Sequence, residues 1–362
     1  MTALPSTFDD ITAPWLTEAF RSRGRLPRGS VTSVQVTRFG EGVGLMGQTA
    51  RMSVTFSDEV SGLPTSYVVK IAATAEANRA MGVHYRIYEK EVRFYRELAG
   101  SVPVATAEAF IAEFDPGSNN FILVLADLSP MRVGSELETP TDDEVRLAVD
   151  EMARLHAHFW GRRNDIPWVP LLEESPWDSH QQFWEQGWPA FLASRSGDVP
   201  DLFKQSGDLM VEKVLALQHW MCRQPVTVIH MDFRLANTFF AADGSTPRFA
   251  LVDWQPFSWA RGPYDLGYFM SQSIPEEQRR RLETEVLGRY VDGLAQGGVR
   301  NYGPIEARAD YIGGVAYCLL YAMGTVTIDL ANEHGRRYAD AIVRRAAAAV
   351  EDLDVVNFLR AL

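Results

Sequence analysis

Apolar and polar residues alternate with period two through residues 31–56, with one glycine-rich interruption. Val34, Val36 and Phe39 mark one strand. Ala50, Met52, Val54 and Phe56 mark the next. Between them lies Gly-Glu-Gly-Val-Gly-Leu-Met-Gly, residues 40–47, a turn whose glycines let backbone N–H groups approach an anion closely. Tyr-Val-Val-Lys-Ile at 67–71 is a third strand with a lysine inside it. The period then becomes helical over 78–99, where Tyr88, Val92, Tyr95 and Leu98 form a stripe with Phe94 beside it. Residues 110–114 and 121–125 read as two more strands, joined by the turn Asp-Pro-Gly-Ser-Asn-Asn. Before all of these, Thr12 is placed to cap a short helix with Pro14 in its first turn and Trp15, Leu16 and Phe20 on one face.

After residue 125 the chain turns polar and then mainly helical. The pattern predicts an α+β protein with a small antiparallel β-rich part, 1–125, and a larger helical part, 126–362. Thr141 and Glu144 form a capping box for a helix carrying Val145, Ala148, Met152, Leu155, His156 and Phe159. His156 and His158 have no companions at metal-ligand spacing and are read as packing residues. Residues 166–195 are rich in aromatics: Trp168, Trp177, Phe183, Trp184, Trp188 and Phe191. Part of this run is expected in the core, and part is a candidate wall for an acceptor pocket. Further helices are predicted at 202–221, 275–296, 304–330 and 336–361. The uncharged stretch 311–328 holds three glycines and two threonines and has no basic flank, which fits a buried helix better than a membrane span.

The chemistry-bearing stretch runs from 226 to 255. Val226, Val228 and Ile229 lead into His230-x-Asp232, followed by Asn237 and the apolar residues Thr238, Phe239 and Phe240. Residues 249–252 form another short strand ending at Asp253, with 241–245 as the intervening turn. A loop between strands presents several side chains to one point. One carboxylate, Asp232, is placed to take a proton from an attacking hydroxyl. Asn237 and Asp253 supply the hard oxygens that suit Mg²⁺ on nucleotide phosphates. Arg234 is placed to spread its guanidinium against a transferred phosphoryl group. Lys70 sits among apolar residues and needs a partner. Glu91, one position off the helical stripe, is the preferred one, with Glu89 as the alternative. So paired, Lys70 would hold the α- and β-phosphates. Asp265 opens a helix, where a carboxylate suits the dipole.

Composition narrows the picture. A net charge of −12 argues against a nucleic-acid binder. Cys222 and Cys318 give neither a disulfide framework nor a metal pattern, and residues 1–10 lack the basic region and apolar core of a signal peptide. These features fit a cytoplasmic protein that needs no membrane. They leave the oligomeric state open.

The order of parts resembles the aminoglycoside phosphotransferase and choline kinase branch of the protein-kinase-like fold. The residues that carry the resemblance are Gly40, Gly42 and Gly44, Lys70, Glu91, the linker at 124–128, His230, Asp232, Asn237, Asp253 and Pro263-Tyr-Asp265. Leu-Val-Leu-Ala-Asp-Leu at 123–128, Asp-Trp-Gln at 253–255 and the opening Ile-Thr-Ala-Pro-Trp at 11–15 look most like ecdysteroid kinase-like members. The resemblance implies ATP and Mg²⁺ as cofactors. It implies Asp232 as catalytic base, Asn237 and Asp253 as metal ligands, and Lys70 with Glu91 on the ATP phosphates. The linker backbone at Leu125 and Asp127 would meet the adenine edge, and His230 and Asp265 would brace the catalytic loop. Two departures stand out: Met231 where the family pattern has glycine, and Ala126 where many members have glutamate.

Protein kinases are the near alternative. The stretch 254–264 leaves no room for a phosphorylatable activation loop, Asp-Trp-Gln replaces Asp-Phe-Gly, and no Ala-Pro-Glu follows. The expected acceptor is therefore a hydroxyl of a small molecule. A pseudokinase that binds nucleotide without transfer and an aminoglycoside-type antibiotic kinase are the competing readings. For the latter, Glu173, Glu174 and Asp178 are the candidate acidic lining.

Overall fold

The alternating residues near the N-terminus build one sheet and the helical periods build the rest, in two compact units. The computed structural model describes residues 3–39, 46–57, 63–174, 180–195, 199–241, 245–328 and 332–362. The first unit is Met1–Pro130 with Val252–Pro256, and the second is Met131–Leu251 with Phe257–Leu362. The short segment ending in Pro256 thus packs with residues far upstream, which a single cut of the chain at 125 does not express.

In the first unit, helix α1 (Ala13–Arg21) starts where expected, with the Thr12 side chain accepting the Trp15 N–H. Strands β1 (Val31–Arg38), β2 (Gly47–Phe56) and β3 (Ser66–Ala72) follow, then helices α2 (Glu76–His84) and α3 (Ile87–Arg93), then β4 (Ala109–Asp115) and β5 (Asn120–Ala126). The sheet is antiparallel, in the order β1-β2-β3-β5-β4. Successive side chains of a strand take opposite faces. On β3, Tyr67, Val69 and Ile71 join Leu16 and Phe20 of α1 in one core. Lys70, between them in sequence, therefore points to the other face. The predicted helix over 78–99 is broken. Arg86 takes φ +53° between α2 and α3, and residues Phe94–Leu98 widen into a π-helical turn. The break lets the Tyr88 ring stack on Phe121 at 4.7 Å.

The second unit opens with β6 (Arg132–Val133) and helices α4 (Asp142–Phe159), α5 (His180–Ser194) and α6 (Asp201–Met221). The capping box at Thr141 and Glu144 forms as read. Strands β7 (Thr227–Ile229), β8 (Thr238–Phe240), β9 (Phe249–Leu251) and β10 (Ser258–Ala260) come next. β8 and β9 form the expected hairpin with β6 on its edge, whereas β7 pairs with β10. The chain ends with α7 (Pro263–Tyr268), α8 (Glu276–Gln296), α9 (Pro304–Tyr317), α10 (Leu319–Gly324), α11 (Glu333–Asp352) and α12 (Val355–Ala361). Two predicted helices are thus divided. The stretch 304–330 bends at Cys318 and ends in a 3-10 turn, and 336–361 breaks at Asp354, where φ is +53°. Among the described residues no helix is long and apolar enough to cross a membrane.

Two glycines of the uncharged stretch, Gly313 and Gly314, have a packing role. A Cβ on Gly314 would lie 2.5 Å from the Pro263 carbonyl oxygen and 2.9 Å from the Tyr264 Cα, and one on Gly267 would lie 2.6 Å from the Val315 nitrogen. α7 and α9 therefore cross backbone to backbone, which fixes the helix that carries Asp265. Gly314→Ala has no flexible neighbour to displace and is expected to cost about 2 kcal/mol or more of unfolding free energy. Urea unfolding checks this, and an unchanged midpoint contradicts the close crossing.

Candidate active site

Each unit gathers one group of the predicted residues. In the first, the Lys70 ammonium lies 2.6 Å from Glu91 Oε1 and 2.8 Å from Asp253 Oδ1. Glu91 is thus the partner from α3, and Glu89 pairs instead with Arg86. Burial pulls the Lys70 pKa down, but Asp253 and Glu91 outweigh it, and the ammonium is held above its ordinary range. Burial lifts Glu91, with Lys70 opposing. The two carboxylates differ in access: the Glu91 side chain is 0 % exposed and that of Asp253 34 %. Glu91 can only hold the lysine, whereas Asp253 can also meet a ligand.

Helix α3 and the turn after it grip the segment that carries Asp253. The Lys90 ammonium donates to the Pro256 carbonyl at 3.0 Å, Gln255 Nε2 donates to Glu91 Oε2 at 3.1 Å, and the Trp254 ring stacks on Phe94 at 4.1 Å. Asp253 itself has φ +68°, a conformation that non-glycine residues hold only when their surroundings fix it. Lys90 carries no motif, and a charge beside an apolar stripe was its only sequence signal; Gln255 closes the Asp-Trp-Gln motif, but its bond to Glu91 had no signal.

At the linker, Leu125 is buried near the end of β5. The Asp127 carboxylate accepts from Ser66 Oγ at 2.6 Å, Arg51 Nε at 3.0 Å and the Ser129 N–H at 2.9 Å. It is committed to the fold, so the backbone is what position 127 can offer a ligand. Gly40, Gly42 and Gly44 lie outside the described residues.

In the second unit the loop after β7 is held from beneath. Asp265, fully buried, accepts the N–H of His230 at 2.6 Å and of Met231 at 2.9 Å, with His156 Nε2 at 3.2 Å. His156 also contacts the Tyr290 hydroxyl at 2.9 Å, which makes it a brace and not a ligand. Met231 has φ +67°, the region glycine adopts freely. Asp232 receives Asn237 Nδ2 at 2.7 Å on Oδ2, and Arg234 Nε at 3.2 Å and the Tyr268 hydroxyl at 3.2 Å on Oδ1. Together these donors hold the carboxylate in one orientation. With Nδ2 on Asp232, the Asn237 Oδ1 is the atom suited to a cation.

Arg234 is shared. Its Nη1 lies 3.4 Å from Glu136 Oε1, which also accepts the Ala236 N–H at 3.0 Å. Burial works against the guanidinium charge, yet Asp232 and Glu136 outweigh it and hold the pKa above its ordinary value. Glu136 and Tyr268 were missed in the sequence. Glu136 stands alone in a polar stretch. Tyr268 follows Asp265 by three residues, one helical turn on, and that spacing was a usable signal.

The aromatic run is mostly core. Trp184, Trp188 and Phe191 are buried on α5, Trp188 stacks on Phe191 at 5.3 Å, and its indole N–H donates to Asp208 at 2.8 Å. Phe183 is exposed. Glu174 pairs with Arg163, and Glu173 with His219 at 2.9 Å. Trp177 and Asp178 lie outside the described residues. Among the described residues no group of three or more His, Cys, Asp or Glu gathers to bind a metal by protein ligands alone. The oxygen donors of Asn237 and Asp253 fit Mg²⁺, which takes few protein ligands when phosphates and water complete its shell.

Comparison with known proteins bears on the family and the fold. The model of the ecdysteroid kinase-like family matches residues 41–300. No curated protein matches the chain significantly. A solved GDP complex of an aminoglycoside 2′-phosphotransferase aligns over 94 % of this chain and 96 % of its own, at 14 % identity and a TM-score of 0.53. A microcompartment-associated aminopropanol kinase aligns over 94 % and 96 %, at 15 % identity and 0.50. Plasmodium vivax ethanolamine kinase aligns over 91 % of this chain and 85 % of its own, at 13 % identity and 0.50. At these identities the likeness establishes the fold, which is protein-kinase-like.

Lys90 gives this region a pH signature. Burial, with the Arg86 charge added, pulls its ammonium from 10.5 to about 7. Between those values the unfolded chain binds a proton that the folded one lacks, so stability from this group rises with pH. Below about 7 both states are protonated and the dependence is flat. Relative to Lys90→Met, the wild-type unfolding free energy should climb by on the order of 1 kcal/mol per pH unit from pH 7 to 10. Urea unfolding of both chains measures it, and parallel pH curves contradict the depressed ammonium.

Proposed function

Because the chain belongs to the ecdysteroid kinase-like family, we propose that it is an ATP- and Mg²⁺-dependent kinase that phosphorylates a hydroxyl of a small molecule. The observation that carries this reading is the Lys70 ammonium held between Glu91 and Asp253, at 2.6 and 2.8 Å. The two carboxylates offset the cost of burying the ammonium and fix its direction, and a lysine held this way is suited to nucleotide phosphates.

The roles follow from the chemistry of each group. Lys70 binds the phosphates of ATP, with Glu91 fixing its direction. The family resemblance assigns Gly40, Gly42 and Gly44 to the same phosphates, and the backbone at Leu125 and Asp127 receives the adenine. Asn237 and Asp253 hold Mg²⁺, which when bound neutralises charge on the phosphates. Asp232 orients the acceptor hydroxyl and takes its proton as the oxygen attacks the γ-phosphorus and the bond from that phosphorus to the bridging oxygen breaks, releasing ADP. Three hydrogen-bond donors fix the direction of its two oxygens, so positioning is its main contribution. Arg234 balances charge between Asp232 and the transferred group, and Glu136 keeps it there.

Asp232→Asn should lower kcat by about a thousandfold while the thermal shift with Mg·ATP persists. Acceptors to assay are those named for the related proteins: choline, ethanolamine, aminopropanol, an aminoglycoside and an ecdysteroid. Preserved turnover in Asp232→Asn removes the mechanism. Absence of any Mg·ATP thermal shift in the wild type removes the nucleotide reading altogether.

The metal assignment has its own test. Asn237→Ala and Asp253→Ala should each raise the Mg²⁺ needed for half-maximal rate by about tenfold, and the double variant should fall short of the product. Fully additive effects mean that the two residues do not ligate one ion.

A further inference from the structure

Met231 separates His230 from Asp232 and is held at φ +67°. A side chain makes that conformation unfavourable, so the surrounding contacts must maintain it. Its N–H is taken by Asp265 at 2.9 Å. Its carbonyl is taken from the opposite side by the Tyr321 hydroxyl, at 2.6 Å. Tyr321 spends its one proton there, so the Tyr264 hydroxyl, 3.1 Å away, must donate to the Tyr321 oxygen. That second bond fixes the Tyr321 hydroxyl as a donor to Met231.

The Tyr321 ring does a second job. It stacks on Tyr268 with centroids 4.1 Å apart and planes 11° from parallel. Tyr268 in turn donates to Asp232 Oδ1 at 3.2 Å. Tyr268 is buried with its hydroxyl aimed at the carboxylate. One aromatic pair therefore touches both ends of the reactive dipeptide, the Met231 carbonyl and the Asp232 side chain.

We propose that Tyr321 and Tyr268 are positioning residues for the reaction: Tyr321 pins the left-handed Met231 peptide, and Tyr268, stacked on it, sets the direction of the Asp232 carboxylate. The assignment rests on Asp232 being the proton acceptor. The pin itself does not, because it is a property of the loop. Tyr321 comes from α10 and Tyr268 from α7, so the pair also ties the loop to two helices that are distant from it in sequence.

The full chain tests this with two readouts. The first needs no turnover: amide hydrogen exchange over residues 230–232. Tyr321→Phe keeps the ring stack and removes the hydroxyl, and exchange there should rise about tenfold. Glycine tolerates positive φ, so in a Met231→Gly background the same substitution should raise exchange by less than about threefold. The second readout is Mg·ATP hydrolysis with water as acceptor. Tyr321→Phe should lower kcat by about tenfold with KM for ATP within about twofold, as expected for misalignment and not for lost nucleotide binding. Tyr268→Phe keeps the stacked ring and removes the hydroxyl from Asp232 Oδ1, and should lower kcat by about tenfold with KM for ATP within about twofold. Wild-type exchange in Tyr321→Phe, or an equal rise in both backgrounds, overturns the pin. Wild-type kcat in Tyr268→Phe overturns the second role. Increased exchange in a chain that shows no Mg·ATP thermal shift would retain the pin and reject the kinase reading.

Discussion

A carboxylate with no access to water must find its partners inside the protein, and Asp265 finds them in the loop above it. Its two oxygens take the backbone N–H groups of His230 and Met231, with His156 at the side. An unmet buried charge would cost several kcal/mol, so the loop and the carboxylate stabilise each other. The direction of Asp232 follows from this bond pair, since it fixes the two peptides before that residue. The helix that supplies Asp265 is in turn fixed by the glycine crossing with α9. Loop geometry thus depends on a contact with no chemistry of its own.

The first unit meets the same problem with opposite sign. Strand alternation puts Lys70 on the face of β3 away from the α1 core, where α3 supplies Glu91. One carboxylate is sealed and one is half open, which separates structural from ligand-binding duty. Lys90, Gln255 and Trp254 then extend the grip to the segment that bears Asp253. The nucleotide-binding apparatus of the proposed kinase is therefore a by-product of satisfying buried charges.

Much of this was legible in the sequence, and the failures have physical causes. Period-two alternation located the sheet, and the capping signals at Thr12 and Thr141 located two helix starts, because both are local effects. The Lys70–Glu91 pair was legible because a lysine in a strand demands a partner. The break at Arg86 was not, since an arginine gives no local sign of a left-handed backbone; the stacking of Tyr88 on Phe121 accompanies it. Glu136 was not legible because its partners, Arg234 and Ala236, are distant in sequence. The aromatic run misled in part: Trp184 and Trp188 have the composition of a pocket wall and the burial of a core. Met231 was visible as a departure from the family pattern, but only the backbone angle says what it costs.

The grouping of Val252–Pro256 with the N-terminal unit bears on how the molecule is made. A ribosome releases the whole β1–β5 sheet long before it reaches residue 253. Until then Lys70 has Glu91 but lacks Asp253, and Phe94 and Lys90 lack Trp254 and the Pro256 carbonyl. The first unit must therefore wait, incomplete, through more than a hundred further residues of synthesis. A fragment ending at the linker would lack Val252–Pro256 altogether, and with it the Asp253 partner of Lys70 and the Trp254 partner of Phe94.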